Sequence, residues 1–256
     1  MLANNNRPGK KKVVLVTGSA TGVGRSTALR FARQGFDVVI NYPGADRQEA
    51  EKTMAEVEAC SASAILVRCD VSQDAEVVEM IKQIEHRWGR LDVVVNNAAV
   101  TQFVEHADLD GLDVEAWDSI FAVNTRGPFL VTRASRRLLV KQPGAAIVNV
   151  SSVAGVTGQG SSVAYCASKG ALNTLTKSLS RALAPNIRVN AVCPGPIDSR
   201  WLRKGMTEEQ IADLVKPMPI PRLSNPDEIA DVIFYLATGT QMTTGQLLMV
   251  DGGCSI

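Results

Sequence analysis

Short apolar runs rich in valine and isoleucine recur along the chain, and longer stretches of helical periodicity separate them. VVLVT (13–17), DVVI (37–40), AILV (64–67), LDVVV (91–95), AAIVNV (145–150), IRVNAV (187–192) and LLMV (247–250) predict seven strands. These runs are apolar on both alternating faces, which suits a sheet covered on both sides. Segments 23–34, 46–59, 73–87, 115–140, 163–184 and 226–237 predict the covering helices. Ser72 or Asp74 is placed to start one of them, and Asn225-Pro226 another. Alternation of strand and helix predicts a doubly wound α/β fold of Rossmann type, with seven parallel strands and right-handed crossovers. No linker, repeat or low-complexity block interrupts 12–256, so this span predicts a single domain behind a disordered tail over 1–11. The stretch 198–222 breaks the rhythm with Trp201, Gly205, a short helix over 207–215, and Pro217, Pro219 and Pro221. Such an insertion after a strand predicts a substrate loop.

Charge and composition narrow the function. Lys plus Arg number 27 and Asp plus Glu 26, a formal net charge of +1. That balance argues against a nucleic-acid partner, which would select a basic stripe. Two histidines and five scattered cysteines, with no CxxC or HExxH, argue against a metal site. The apolar run after MLANNNRPGKKK, Val13 to Val16, is too short for a secretory or membrane-spanning segment. A cytoplasmic protein with no membrane partner is therefore expected. Its cysteines are expected as reduced, mostly buried thiols.

Chemistry enters at the first strand. Thr17-Gly18-Ser19-Ala20-Thr21-Gly22-Val23-Gly24 follows it and opens a helix. Three glycines let the backbone turn tightly and approach a pyrophosphate at the helix N-terminus. The spacing is Gly-x₃-Gly-x-Gly, and no Lys follows to make a Walker motif. The second strand ends Asn41-Tyr42-Pro43, with no carboxylate to hold the ribose hydroxyls of NAD. Nothing at that tip repels a 2′-phosphate, so NADP(H) is favoured and NAD(H) remains possible. Arg25 and Arg47 are the nearest guanidinium groups.

Tyr165 and Lys169 stand four residues apart, on one helix face. Ser152 lies thirteen residues upstream, just past the fifth strand, where ligands of open α/β sheets bind. A Lys ammonium about 4 Å from a phenol, at an effective dielectric near 20, supplies about 4 kcal/mol. That would lower the phenol's pKa by about 3 and make Tyr165 an acid/base at neutral pH. Ser152 would hydrogen-bond the reacting oxygen. A Glu105–His106 pair in a loop reads as solvated rather than catalytic. Trp201 and Met206 are candidates to line a substrate pocket.

Together these residues resemble the short-chain dehydrogenase/reductase family, in its single-domain branch of about 250 residues, over 13–256. The resemblance implies nucleotide contacts at Gly18, Ala20, Thr21, Gly22, Val23 and Gly24 in the loop, and at Asn41 and Tyr42 on the second strand. It further implies contacts at Asp70 and Val71 near the adenine, and at Asn97, Ala98 and Ala99. Ala99 stands where the family usually has glycine. Tyr165 and Lys169 are implied as well, with Pro194, Gly195, Ile197 and Ser199 around the nicotinamide. It assigns catalysis to Asn124, Ser152, Tyr165 and Lys169, with a ketone or secondary alcohol as substrate. It also implies a homotetramer, built through 115–140, 163–184 and the C-terminal 244–256. Several relatives reduce 3-oxoacyl chains on acyl carrier protein. The uncharged Ala184-Pro185-Asn186 segment argues against that partner. A non-catalytic nucleotide sensor on the same fold, and a longer-branch epimerase or dehydratase, are the competing readings.

Overall fold

A computed structural model of the chain describes residues 11–256. Seven parallel strands form one sheet among the described residues: β1 (Val13–Val16), β2 (Asp37–Tyr42), β3 (Ala64–Arg68), β4 (Val93–Asn96), β5 (Ala145–Val150), β6 (Ile187–Pro194) and β7 (Leu247–Val250). Their order is β3-β2-β1-β4-β5-β6-β7. The order reverses between β1 and β4, which opens a crevice at the carboxyl ends of the strands. Ten α-helices accompany the strands among the described residues: α1 (Gly22–Arg33), α2 (Arg47–Ala59), α3 (Asp74–Trp88), α4 (Val114–Phe121), α5 (Gly127–Leu139), α6 (Ala154–Thr157), α7 (Val163–Leu183), α8 (Arg200–Gly205), α9 (Glu208–Val215) and α10 (Pro226–Phe234).

The both-faces-apolar pattern has its reason in burial. β1, β2, β4, β5 and β6 are buried at every position. Even-numbered β1 and β2 residues such as Val14, Val16, Val38 and Ile40 pack with Phe31, Phe36 and Ile233 on one face. Odd-numbered Leu15 and Val39 pack with Met80, Ile84, Leu138 and Ile147 on the other. Each such large apolar side chain contributes about 1.5–3 kcal/mol when fully buried. Phe31 meets Phe36 and Phe234 edge-on at 5.0 Å, which seals α1 against α10.

Three details differ from the sequence expectation. The single helix expected over 115–140 is α4 and α5 joined by a π-helical turn, Ala122–Arg126. That turn carries Asn124, and π-turns of this kind cluster at functional sites. Neither Ser72 nor Asp74 caps α3: Gln73 is its N-cap. Asn225 does cap α10, in a capping box with Glu228. Of the expected tail, residues 1–10 lie outside the described residues, and Lys11 donates a hydrogen bond to the Ser61 carbonyl.

Candidate active site

The crevice is a cavity of about 1500 Å³ that runs from Gly18 and Asn41 to Tyr165 and Met206. At one end the β1–α1 loop forms its floor. Gly18 has φ +61, a conformation that favours glycine, and a Cβ there would meet Ala98 Cα at 2.9 Å. At Gly24 a Cβ would meet the Gly18 carbonyl oxygen at 2.4 Å and Asn97 Nδ2 at 2.6 Å. Thr21, the N-cap of α1, makes no side-chain cap bond, and the first turn holds no carboxylate. The first amides of α1 are left to receive an anion. This glycine cradle fits a dinucleotide pyrophosphate.

The loop after β4 is tied to that cradle. Asn97 N and Ala98 N donate to Thr17 Oγ1, both at 3.0 Å, and Asn97 Nδ2 donates to the Thr17 and Gly18 carbonyls. Of the nucleotide residues expected from sequence, Gly18, Thr21, Gly22, Val23, Gly24, Asn41, Asp70, Val71, Asn97, Ala98, Ala99, Tyr165, Lys169, Pro194, Gly195, Ile197 and Ser199 line the cavity. Ala20 and Tyr42 do not. Ala20 is buried, and its carbonyl accepts from the Thr53 hydroxyl. Tyr42 points to the α2 side of the sheet, into the core beside Ile40 and Ala50. The physical reason is strand alternation: Asn41 faces the opposite way from Tyr42. Asn41 is itself a brace. Its Oδ1 accepts from Gly18 N at 3.0 Å, and its Nδ2 donates to the Cys69 carbonyl at 2.9 Å. Pro43, Asp46 and Arg25 complete this end, and Arg25 pairs with Glu56 of α2. Arg47 is drawn away from the cavity to Glu51.

At the other end stand Ser152, Tyr165 and Lys169. Ser162 caps α7 and starts the helix three residues before Tyr165. The Ser152 hydroxyl beside the phenol favours ionisation. Burial opposes it more strongly and pushes the Tyr165 pKa up to about 12. Lys169 is buried, and its Nζ donates to the Val150 carbonyl at 2.8 Å, 5.6 Å from the centre of the Tyr165 ring. Burial lowers its pKa to about 8. The expected direct lowering of the tyrosine by the lysine is therefore corrected. The ammonium is spent on the carbonyl at the end of β5. The chain's own groups hold Tyr165 as a neutral acid.

Asn124 does not face the cavity. Its Oδ1 accepts from Val100 N at 2.9 Å, and its Nδ2 donates to the Val100 carbonyl and to Ser168 Oγ. Ser151 is likewise committed, to Asn173 Oδ1 at 2.6 Å, which leaves Ser152 as the hydroxyl available at the site. His106 Nε2 contacts the Gly160 carbonyl at 3.1 Å, within a loop. Cys166 is buried, as its helix position implies, whereas Cys254 is exposed at the cavity edge. Trp201 and Met206 both line the cavity. Phe103, in the 100–112 segment that the sequence offers with 153–162 and 198–222 as pocket-shaping loops, lines it too, while sequence reasoning missed the C-terminal Cys254 and Ile256. No run of residues signals them, because only the fold brings these loops together. Among the described residues no cluster of His, Cys, Asp or Glu could hold a metal, and no helix is long and apolar enough to cross a membrane.

A doubly wound sheet with a glycine cradle at the switch point, and a Ser-Tyr-Lys site beside it, defines a dinucleotide-dependent oxidoreductase. The family model described as enoyl-(acyl carrier protein) reductase matches residues 18–255. A Streptomyces violaceoruber protein named as a ketoacyl reductase of the granaticin polyketide synthase is 37% identical over 245 residues, 95% of this chain and 96% of its own. The 3-oxoacyl-[acyl-carrier-protein] reductase of Thermotoga maritima is 34% identical over 247 residues, 96% and 98% of the two chains. A solved structure described as a Burkholderia xenovorans short-chain dehydrogenase/reductase is similar at TM-score 0.90 and 36% identity, covering 96% of this chain and 98% of that one. The chain belongs to the short-chain dehydrogenase/reductase family and is an oxidoreductase.

Proposed function

We propose that this enzyme moves a hydride between NADP(H) and a ketone or secondary alcohol, with Tyr165 as the general acid/base. The observation that carries the reading is the placing of Ser152, Tyr165 and Lys169 on the wall of the same cavity whose other end is the glycine cradle. Hydride chemistry is what a nicotinamide dinucleotide supplies when bound. The protein's part is the proton and the geometry. Ser152 orients the carbonyl oxygen, and Tyr165 gives its hydroxyl proton to that oxygen as it turns into an alkoxide. Lys169, one turn along α7 and 5.6 Å from the ring centre, would act at a distance, as a positive charge near the phenolate left behind. Asn124 has both side-chain termini committed, so its contribution to a proton relay falls to its main chain.

The dinucleotide would lie along Gly18–Gly24, Asp70 and Val71, Asn97–Ala99 and Pro194–Ser199. Arg25 is the cationic lining residue at the ribose end, and it would meet the 2′-phosphate of NADP(H). Asp46 offers the competing contact that NAD(H) would use. A pure sensor has no need of a paired Ser152 and Tyr165, which disfavours the non-catalytic alternative. We further propose one catalytic domain over 12–256, a cytoplasmic location, and a homotetramer through α4–α5, α7 and the C-terminal strand. The test is nicotinamide absorbance with a panel of carbonyl compounds, using NADPH and NADH. Oxidation of NADPH by one of them, lost in Tyr165→Phe while the variant still binds NADPH, supports the reading. Undiminished turnover in that variant overturns it.

A further inference from the structure

The substrate end of the cavity carries two large rings that the core does not cover. Phe103, from the loop after β4, is 40% exposed, and Trp201, from α8, is 37% exposed. Both line the cavity. Trp201 stands edge-on to Tyr165, with ring centres 5.8 Å apart and planes at 83°. Phe103 lies directly on the backbone of Gly205 at the other end of α8. A Cβ added to Gly205 would meet the ring's Cζ at 2.3 Å and its Cε1 at 2.4 Å. Thus α8 sits over the site with one ring of its own against the acid and a foreign ring under its last residue. Val104, Val153, Leu202 and Met206 fill the wall between.

Charge at the mouth is mixed. Glu105, from the loop after β4, lines the cavity, and so does Arg200 of α8. Arg203 of the same helix pairs with Asp198 and Glu208. The rim thus holds both signs, and the two rings are what distinguish this end of the cavity.

Resting on the reading of the site as a carbonyl reductase, we infer that Phe103 and Trp201 form a clamp for the bulky hydrophobic group of a ketone. An aryl ketone fits this slot best. Gly205 sets the width of the clamp by letting the Phe103 ring lie against α8. Trp201 fixes which side of the carbonyl the bulky group occupies, because its edge already borders the acid. Specificity then follows from the aromatic contact, made as the substrate covers the two exposed rings.

The test compares kcat/KM, with NADPH, for acetophenone, 2-butanone and acetoacetyl-CoA. The proteins are wild type, Trp201→Ala, Gly205→Ala, Phe103→Ala and the double variant Gly205→Ala/Phe103→Ala. NADPH affinity, read by nicotinamide fluorescence, reports a folded cofactor site in each. The wild type is expected to favour acetophenone over acetoacetyl-CoA by about tenfold or more. Trp201→Ala is expected to lose about thirtyfold on acetophenone, and at least several times more than on 2-butanone. Gly205→Ala should raise KM for acetophenone, and removing the Phe103 ring should cancel much of the effect of the added methyl. Preference for acetoacetyl-CoA overturns the inference. So does an equal loss on both ketones in Trp201→Ala, or a Gly205→Ala effect that ignores Phe103. No turnover of any carbonyl by a wild type that binds NADPH overturns the reductase reading itself, and the clamp with it.

Discussion

The candidate catalytic residues are held in charge states set by burial. Lys169 illustrates this most directly. Its pKa falls from the usual 10.5 to about 8 through desolvation. A folded-state pKa below the unfolded one means that folding sheds a proton between those values. The cost is fully present below pH 8 and fades as the pH rises toward 10.5. It amounts to about 3 kcal/mol. Lys169→Met should abolish activity yet stabilise the protein at pH 7. The net gain is about 1–2 kcal/mol, because the Val150 carbonyl loses its donor. For a chain this long that is a rise of a few degrees in Tm, roughly 2–4 °C per kcal/mol. Thermal melts at pH 7 and pH 10 check it, and the gain should disappear at the higher pH. Tyr165→Phe should cost about 10²–10⁴ in kcat and leave the NADPH dissociation constant nearly unchanged, since only the transferable proton is removed. Calorimetric titration alongside steady-state rates separates the two effects. At the ribose end, Asp in place of Tyr42 would test folding rather than cofactor choice, because it would bury a carboxylate in the core. Arg25→Ala is the cleaner probe. It should weaken NADPH by about tenfold and NADH by little, and added salt should shrink the difference. Equal loss for both dinucleotides would remove Arg25 from the 2′-phosphate.

Among the elements, the β1–α1 turn is the least forgiving. At Gly24 the obstruction is backbone, the Gly18 carbonyl at 2.4 Å, and not a flexible side chain that could move aside. Gly24→Ala should therefore distort the cradle and weaken either dinucleotide by more than about tenfold. Fluorescence titration reads this directly, and affinity within twofold of wild type would show that the turn absorbs a methyl group. The same turn was legible in the chain as written: glycines after an apolar strand and before a helix. The π-turn at Ala122–Arg126 was not legible. Its sequence, AVNTR, continues an ordinary helical pattern. The turn holds Asn124 against the main chain of Val100, 24 residues upstream, a contact reached only through the fold. Likewise Asn41 read as a ribose contact and became a brace between β1, β2 and β3. A polar residue at a strand tip gives no hint of which neighbour will claim it.

For the whole molecule, apolar side chains left uncovered on α4 and α5 bear on assembly. Val114, Trp117 and Phe129 are 70%, 38% and 41% exposed, and Leu248 of β7 is 39% exposed. Rings in such positions mark subunit contacts more often than open solvent. Light scattering at micromolar concentration should report four subunits, and Trp117→Glu should break the assembly down. A wild-type monomer would refute the tetramer. The sequence by itself determined the layered fold, its seven strands and the glycine-rich turn, and it singled out Ser152, Tyr165 and Lys169 as candidates. Those depend on period, glycine and short spacings, which are local properties of a chain. Tertiary structure alone decided that Tyr42 is core, that Lys169 turns to Val150, and that Phe103 meets Gly205. Each of these depends on which distant backbone lies within a few ångströms, and on how completely it excludes water.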